Sequence, residues 1–132
     1  MTEWSWLDER DALALHGRSL LAHGGGSGLR DPGLLDSALA RPRQLAVYGQ
    51  DLDVIGLAAA YTAGLVQNHP FVDGNKRTGF LLGVLFLEIN GLRFVADEAA
   101  AAQAVLDLAA GTSDEAAYVA FLRAHVPGYR QP

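Results

Sequence analysis

The stretch from Phe80 to Leu87 constrains the fold more than any other. Phe80, Leu81, Leu82, Val84, Leu85, Phe86 and Leu87 put apolar side chains on every face of a helix. Such a helix is surrounded by protein, so other elements must wrap around it. The uncharged run Gly79 to Leu87 is too short to cross a bilayer. The chain has 132 residues, half of them hydrophobic. That is enough for one domain, residues 1–132, built on one core.

The punctuation along the chain is helical throughout. Ser5 is placed to cap a helix from about Trp6 to His23. The segment GGGSGLRDPG breaks it, and Asp31-Pro32 offers an N-cap and N1 pair for a short helix that Pro42 should stop. Arg41 to Asp51 reads as irregular or briefly helical. Asp53 caps a helix to about Asn68, with Val54, Leu57, Ala58, Tyr61 and Leu65 at helical spacing. His69-Pro70 ends it, since a residue before proline is pushed out of the α region. The apolar helix then runs to a stop at Gly91. Asp97 and Ser113 are candidate caps for two last helices, and LRFV could form a short extended piece. The loop Gly24 to Arg30 is the expected mobile segment.

Composition narrows the function classes. There is no cysteine, which excludes disulfides and thiolate metal sites. The net charge of −5 argues against direct nucleic-acid binding, which needs a basic surface. The acidic N-terminus has no signal-peptide core, so a cytoplasmic protein with no membrane role is expected. GGGSGL fails as a dinucleotide fingerprint, because it follows a helix and ends in Leu29. His16, His23 and His125 show no ligand spacing and read as surface or capping residues.

The chemistry concentrates in HPFVDGNKR, residues 69–77. It lies at the N-terminus of the apolar helix, where unpaired backbone N–H groups at Gly74, Asn75 and Lys76 form an anion site. Lys76, the only lysine beside nine arginines, and Arg77 add donors suited to phosphate oxygens. Asp73 is a hard oxygen ligand whose natural cation beside phosphate is Mg²⁺. His69 is a residue type that takes a proton near neutral pH. A base, a metal carboxylate and a phosphate cradle are the parts phosphoryl or nucleotidyl transfer requires.

The string also resembles the signature of the Fic/Doc family, His-Pro-Phe-x-Asp/Glu-Gly-Asn-Gly/Lys-Arg, at every defined position. The resemblance extends through LRDPGLLDSALARP, YG and FLEING, covering about Trp6 to Leu122. It implies an all-α fold of about six helices around a central buried helix. A small flap near the site is implied too, drawn from Gly24–Asp31 or Arg41–Leu52. By position, His69 resembles the general base that activates a target hydroxyl and Phe71 the core anchor of the loop. Asp73 resembles the Mg²⁺ ligand, and Gly74, Asn75, Lys76 and Arg77 the phosphate-binding turn.

Two departures select a branch. AMP-transferring members carry Gly at the place of Lys76 and a second Arg at the place of Phe80. The Doc branch, with Lys and no second Arg, phosphorylates a threonine of elongation factor Tu. The resemblance therefore implies a toxin of a toxin–antitoxin module that moves a phosphate from ATP, with Mg²⁺, to a protein hydroxyl and blocks translation. AMP transfer is the alternative. The Doc pattern has Arg at the place of Gln67 and Ala at the place of Gly74, so the target could differ. An internal inhibitory Ser/Thr-x-x-x-Glu-Gly/Asn motif is not formed at Ser5–Glu9, where Arg10 follows. A separate small antitoxin is implied.

Overall fold

The computed structural model describes residues 3–48 and 52–130. Six helices follow in order: α1 (Glu9–His23), α2 (Pro32–Val47), α3 (Val54–Asn68), α4 (Asn75–Ile89), α5 (Glu98–Ala110) and α6 (Glu115–Ala124). The fold is all-α, and among the described residues the only β pairing is an isolated antiparallel bridge between Leu29 and Phe71.

The central helix is α3, not α4, to which the all-round run of large apolar side chains from Phe80 to Leu87 points. Every residue from Val54 to Val66 is buried, whereas α4 buries Asn75, Thr78, Gly79, Leu82, Gly83, Phe86 and Leu87. Side-chain size explains the exchange. Gly56, Ala58, Ala59, Ala60, Ala63 and Gly64 make α3 thin enough to be packed on all sides by α2, α4, α5 and α6. The larger side chains of α4 hold its outer face away from full enclosure. Leu81, Val84 and Leu85 are only half-buried.

Two glycines set how closely α4 approaches. A Cβ at Gly79 would lie 2.9 Å from Val66 Cγ2, and one at Gly83 would strike Thr62 Oγ1 and lie 2.9 Å from Ala58 O. The space they leave is used by Thr62, whose hydroxyl donates to Gly79 O at 2.7 Å. Where α4 begins is thus fixed against the most buried element of the molecule.

Three boundaries differ from expectation. Ser5 caps nothing; its N–H and C=O pair with the Asn90 side chain at 2.9 and 3.1 Å. Helix α1 starts later, at Glu9, behind the N-cap Asp8, which forms a reciprocal capping box with Asp11. Helix α2 does not stop at Pro42 but runs on to Val47. An interior proline costs a helix about 3 kcal/mol, and tertiary contacts offset this. Pro42 is buried, and Arg41 beside it donates to Ala60 O at 3.3 Å and to Glu115 at 2.8 Å. Asp114, one residue after Ser113, caps α6. LRFV forms no strand; Val95 N–H instead reaches His125 O at 2.8 Å.

The flap comes from Gly24–Asp31. Arg41–Val47 belongs to α2, and residues 49–51 lie outside the described residues. The expected mobile loop is tied down at several points: Val72 N–H donates to Gly28 O, and Arg30 and Asp31 N–H both donate to Pro70 O. No helix is long and apolar enough to cross a membrane, among the described residues.

Candidate active site

Five of the six helices begin with an aspartate whose carboxylate accepts a first-turn amide: Asp8, Asp31, Asp53, Asp97 and Asp114. Helix α4 is the exception. Its N-cap is Gly74, in the left-handed region at φ 79° and ψ 16°, with no side-chain cap. The first-turn amides of Asn75, Lys76 and Arg77 therefore keep their donors free of any side chain at the positive end of the helix. Lys76 and Arg77 are exposed at the same place.

The turn that delivers this helix start is built from the inside. Phe71 is fully buried and lies flat on His16, with ring centroids 3.8 Å apart and 8° between planes. The His16 Nε2–H donates to Asp73 O at 2.8 Å. Asn75 is buried, and its side chain closes the turn. Its Oδ1 accepts from Phe71 N–H at 2.9 Å and its Nδ2–H donates to Phe71 O at 3.0 Å. Asn75 thus differs from its neighbours in the expected phosphate-binding turn. Its side chain serves the loop, and the group it offers outward is its main-chain N–H.

His69 sits at the C-cap of α3 with φ 53° and ψ 53°, the only non-glycine at positive φ among the described residues. It is exposed. Asp73 is exposed too, and its carboxylate is oriented by two amides: Gly74 N–H at 2.8 Å to Oδ1 and Gly26 N–H at 3.3 Å to Oδ2. Gly25 permits that contact, because a Cβ there would come within 2.8 Å of Asp73 Oδ2. Each Asp73 oxygen keeps a lone pair for a cation. Among the described residues no group of three or more His, Asp or Glu could hold a metal. Asp73 suits a cation that takes one protein carboxylate and fills its shell with water and phosphate, which is the habit of Mg²⁺.

Beside Lys76 and Arg77 opens a groove of about 650 Å³, floored by Phe80, Val84, Phe94 and Val105. Phe80 meets Phe94 edge-on at 5.8 Å, so an aromatic pair stands where a second arginine could have stood, and Arg93 and Glu98 also line the groove.

Sequence reasoning missed three participants. His16 is buried under the turn and is not a surface residue. A signal existed, since it shares the inward face of α1 with Ala12, Leu15 and Ser19. Arg30 and Gly25 act from the flap on the turn that follows α3, and no local pattern announces them.

The Fic/DOC family model matches residues 6–87. Toxin Doc of Mycolicibacterium smegmatis (strain ATCC 700084 / mc(2)155) is 46% identical over 99 residues, covering 74% of this chain and 72% of that protein. Protein kinase doc of Escherichia phage P1 is 30% identical over 87 residues, covering 66% of this chain and 69% of that protein. The family match spans well over half the chain and includes the whole of the turn between α3 and α4; the chain belongs to the Fic/DOC family.

Proposed function

We propose that this chain is a Doc-type toxin that transfers the γ-phosphate of ATP to a protein hydroxyl, a threonine of elongation factor Tu, and so blocks translation in the cytoplasm. The observation that carries the reading is the uncapped start of α4, with Lys76 in its first turn, an oriented Asp73 just before it and an exposed His69 at the end of α3. The relative whose printed name is protein kinase doc supports phosphoryl transfer. Lys76 and the apolar Phe80 favour it over AMP transfer.

In this reading His69 takes the proton of the target hydroxyl as that oxygen attacks the γ-phosphorus, the bond from that phosphorus to the bridging oxygen breaks, and ADP leaves. The amides of Asn75, Lys76 and Arg77 hold phosphate oxygens by fixed donors that need no rearrangement as charge develops. The Lys76 ammonium adds a compact charge and occupies the space that glycine would leave open. Asp73 would hold Mg²⁺, which when bound neutralises charge on the phosphate oxygens. The groove along Phe80 and Val84 has room for the organic part of the nucleotide.

The relative named Toxin Doc supports a toxin role, and with it a separate small antitoxin whose C-terminal segment folds on binding. Expression in a bacterial host tests the proposal. The wild-type chain should arrest growth unless the antitoxin is co-expressed. His69→Ala should lose about 10²–10⁴ in transfer rate and become harmless, because only the base is gone. A folded His69→Ala protein that arrests growth at the wild-type dose would refute the assignment.

A further inference from the structure

We infer that Arg30 is a positioning residue for His69, fixing the backbone conformation from which the imidazole is presented; the inference rests on the reading of His69 as the base. The guanidinium makes three hydrogen bonds to two successive carbonyls. Its Nε–H and Nη2–H donate to His69 O at 2.9 and 2.7 Å, and Nη2–H also donates to Asn68 O at 3.2 Å. The main-chain N–H of the same residue donates to Pro70 O at 2.7 Å. One residue of the flap therefore grips the carbonyls of Asn68, His69 and Pro70 in a row.

The grip falls where the backbone needs one. His69 has φ 53° and ψ 53°, a region that side chains with a Cβ rarely adopt. Pro70 follows, and it biases the preceding residue toward extended backbone. Relaxation to that region would turn the His69 side chain in a new direction. From the main chain, His69 N–H to Leu65 O at 3.0 Å and Asp31 N–H to Pro70 O at 3.0 Å act in the same sense. A cation also suits the site, since the carbonyl end of α3 carries partial negative charge. The planar fork matters as much as the charge. A lysine could offer a point charge but could not span the Nε and Nη2 positions that meet one oxygen together.

The same flap orients Asp73 through Gly26 N–H at 3.3 Å. One segment thus positions both the proposed base and the proposed metal carboxylate.

The test uses the full chain with Arg30→Ala and Arg30→Lys, each checked for folding by circular dichroism. Two readouts separate positioning from general stability. The first is the His69 ¹³Cα and ¹³Cβ chemical shifts of the free protein, which report the left-handed backbone directly. They should move toward extended values in Arg30→Ala. The second is turnover. Arg30→Ala should lose about 10- to 100-fold in kcat, the scale of an ångström misplacement, with KM for ATP within about twofold, since ATP contacts are untouched. Arg30→Lys should recover little of this. Millimolar guanidinium should restore part of the Arg30→Ala rate and none of the His69→Ala rate. Wild-type kcat in Arg30→Ala, or unmoved His69 shifts, would overturn the inference. If the wild-type chain transfers nothing, the functional reading fails while the chemical shifts still decide the backbone claim.

Discussion

Asn75 is the residue whose loss should separate the loop from the chemistry. It is 4% exposed, and its side chain satisfies both the N–H and the C=O of Phe71, which is 0% exposed. Asn75→Ala removes both partners and leaves two buried main-chain groups unpaired. Each such group costs about 1–3 kcal/mol. Val72 and Asp73 beside it are exposed, so water can reach part of the loop. The lower half of the range applies, giving about 2–4 kcal/mol in total. For a chain of this length that is about 8–16 °C in melting temperature. Asn75→Asp is the sharper variant, being nearly the same shape. One carboxylate oxygen still accepts from Phe71 N–H, but the other turns a negative charge on Phe71 O. Only the protonated acid can donate there. Asn75→Asp should therefore be at least as unstable as Asn75→Ala at pH 7. Its deficit relative to wild type should shrink at acid pH. Urea unfolding at two pH values measures both. A deficit under about 0.5 kcal/mol for Asn75→Ala, the range of an ordinary surface change, would refute the argument. So would an Asn75→Asp protein as stable as wild type at neutral pH.

Three further outcomes are expected. Gly83→Ala would drive a methyl into Thr62 and Ala58 O across the α3–α4 contact, and should cost about 1–3 kcal/mol in chemical denaturation, as overpacking does. Asp53 links α3 to the C-terminal segment through Arg123 at 2.8 Å and Tyr129 at 3.2 Å. Burial pushes its carboxyl up, but hydrogen bonds from Arg123, the Gly56 amide and Tyr129, with the guanidinium charge, outweigh this and hold it below the usual value. A depressed carboxyl stabilises the fold above its unfolded pKa, about 3.9, and the stabilisation is lost as pH falls through the lower folded value. Acid titration of stability should thus be steeper in wild type than in Asp53→Asn below about pH 4. Lys76→Gly should lower γ-phosphate transfer and open some AMP transfer. Lys76→Arg keeps the charge but replaces a compact ammonium with a wide fork, and a large loss there would assign the effect to shape.

What the sequence disclosed was local. The turn His69–Arg77 reads as a string, the Asp31, Asp53 and Asp97 caps announce themselves, and six helices follow from periodicity and punctuation. What it concealed was long-range. The all-round run of large apolar side chains points to α4 as the centre, but enclosure on all sides rewards thin helices, and α3 has the alanines and glycines. Pro42 reads as a stop because local propensity ignores the buried contacts around Arg41 that offset it. His16 lies 57 residues from the carbonyl it holds, and Arg30 lies 39 residues from His69. Neither pairing follows from spacing. At the site itself, residue types were legible along the chain, and the fold decided which side chains turn inward: Asn75 into the loop, with His69 and Asp73 left exposed.

We propose that this turn moves the terminal phosphate of ATP and not its AMP portion. It is tested by incubating the purified chain, Mg²⁺ and elongation factor Tu with ATP labelled at either the α or the γ phosphorus. γ label should appear on a threonine of the target, with no α label, and neither should appear with His69→Ala. Label from the α position on the target, or none from either position, would contradict it.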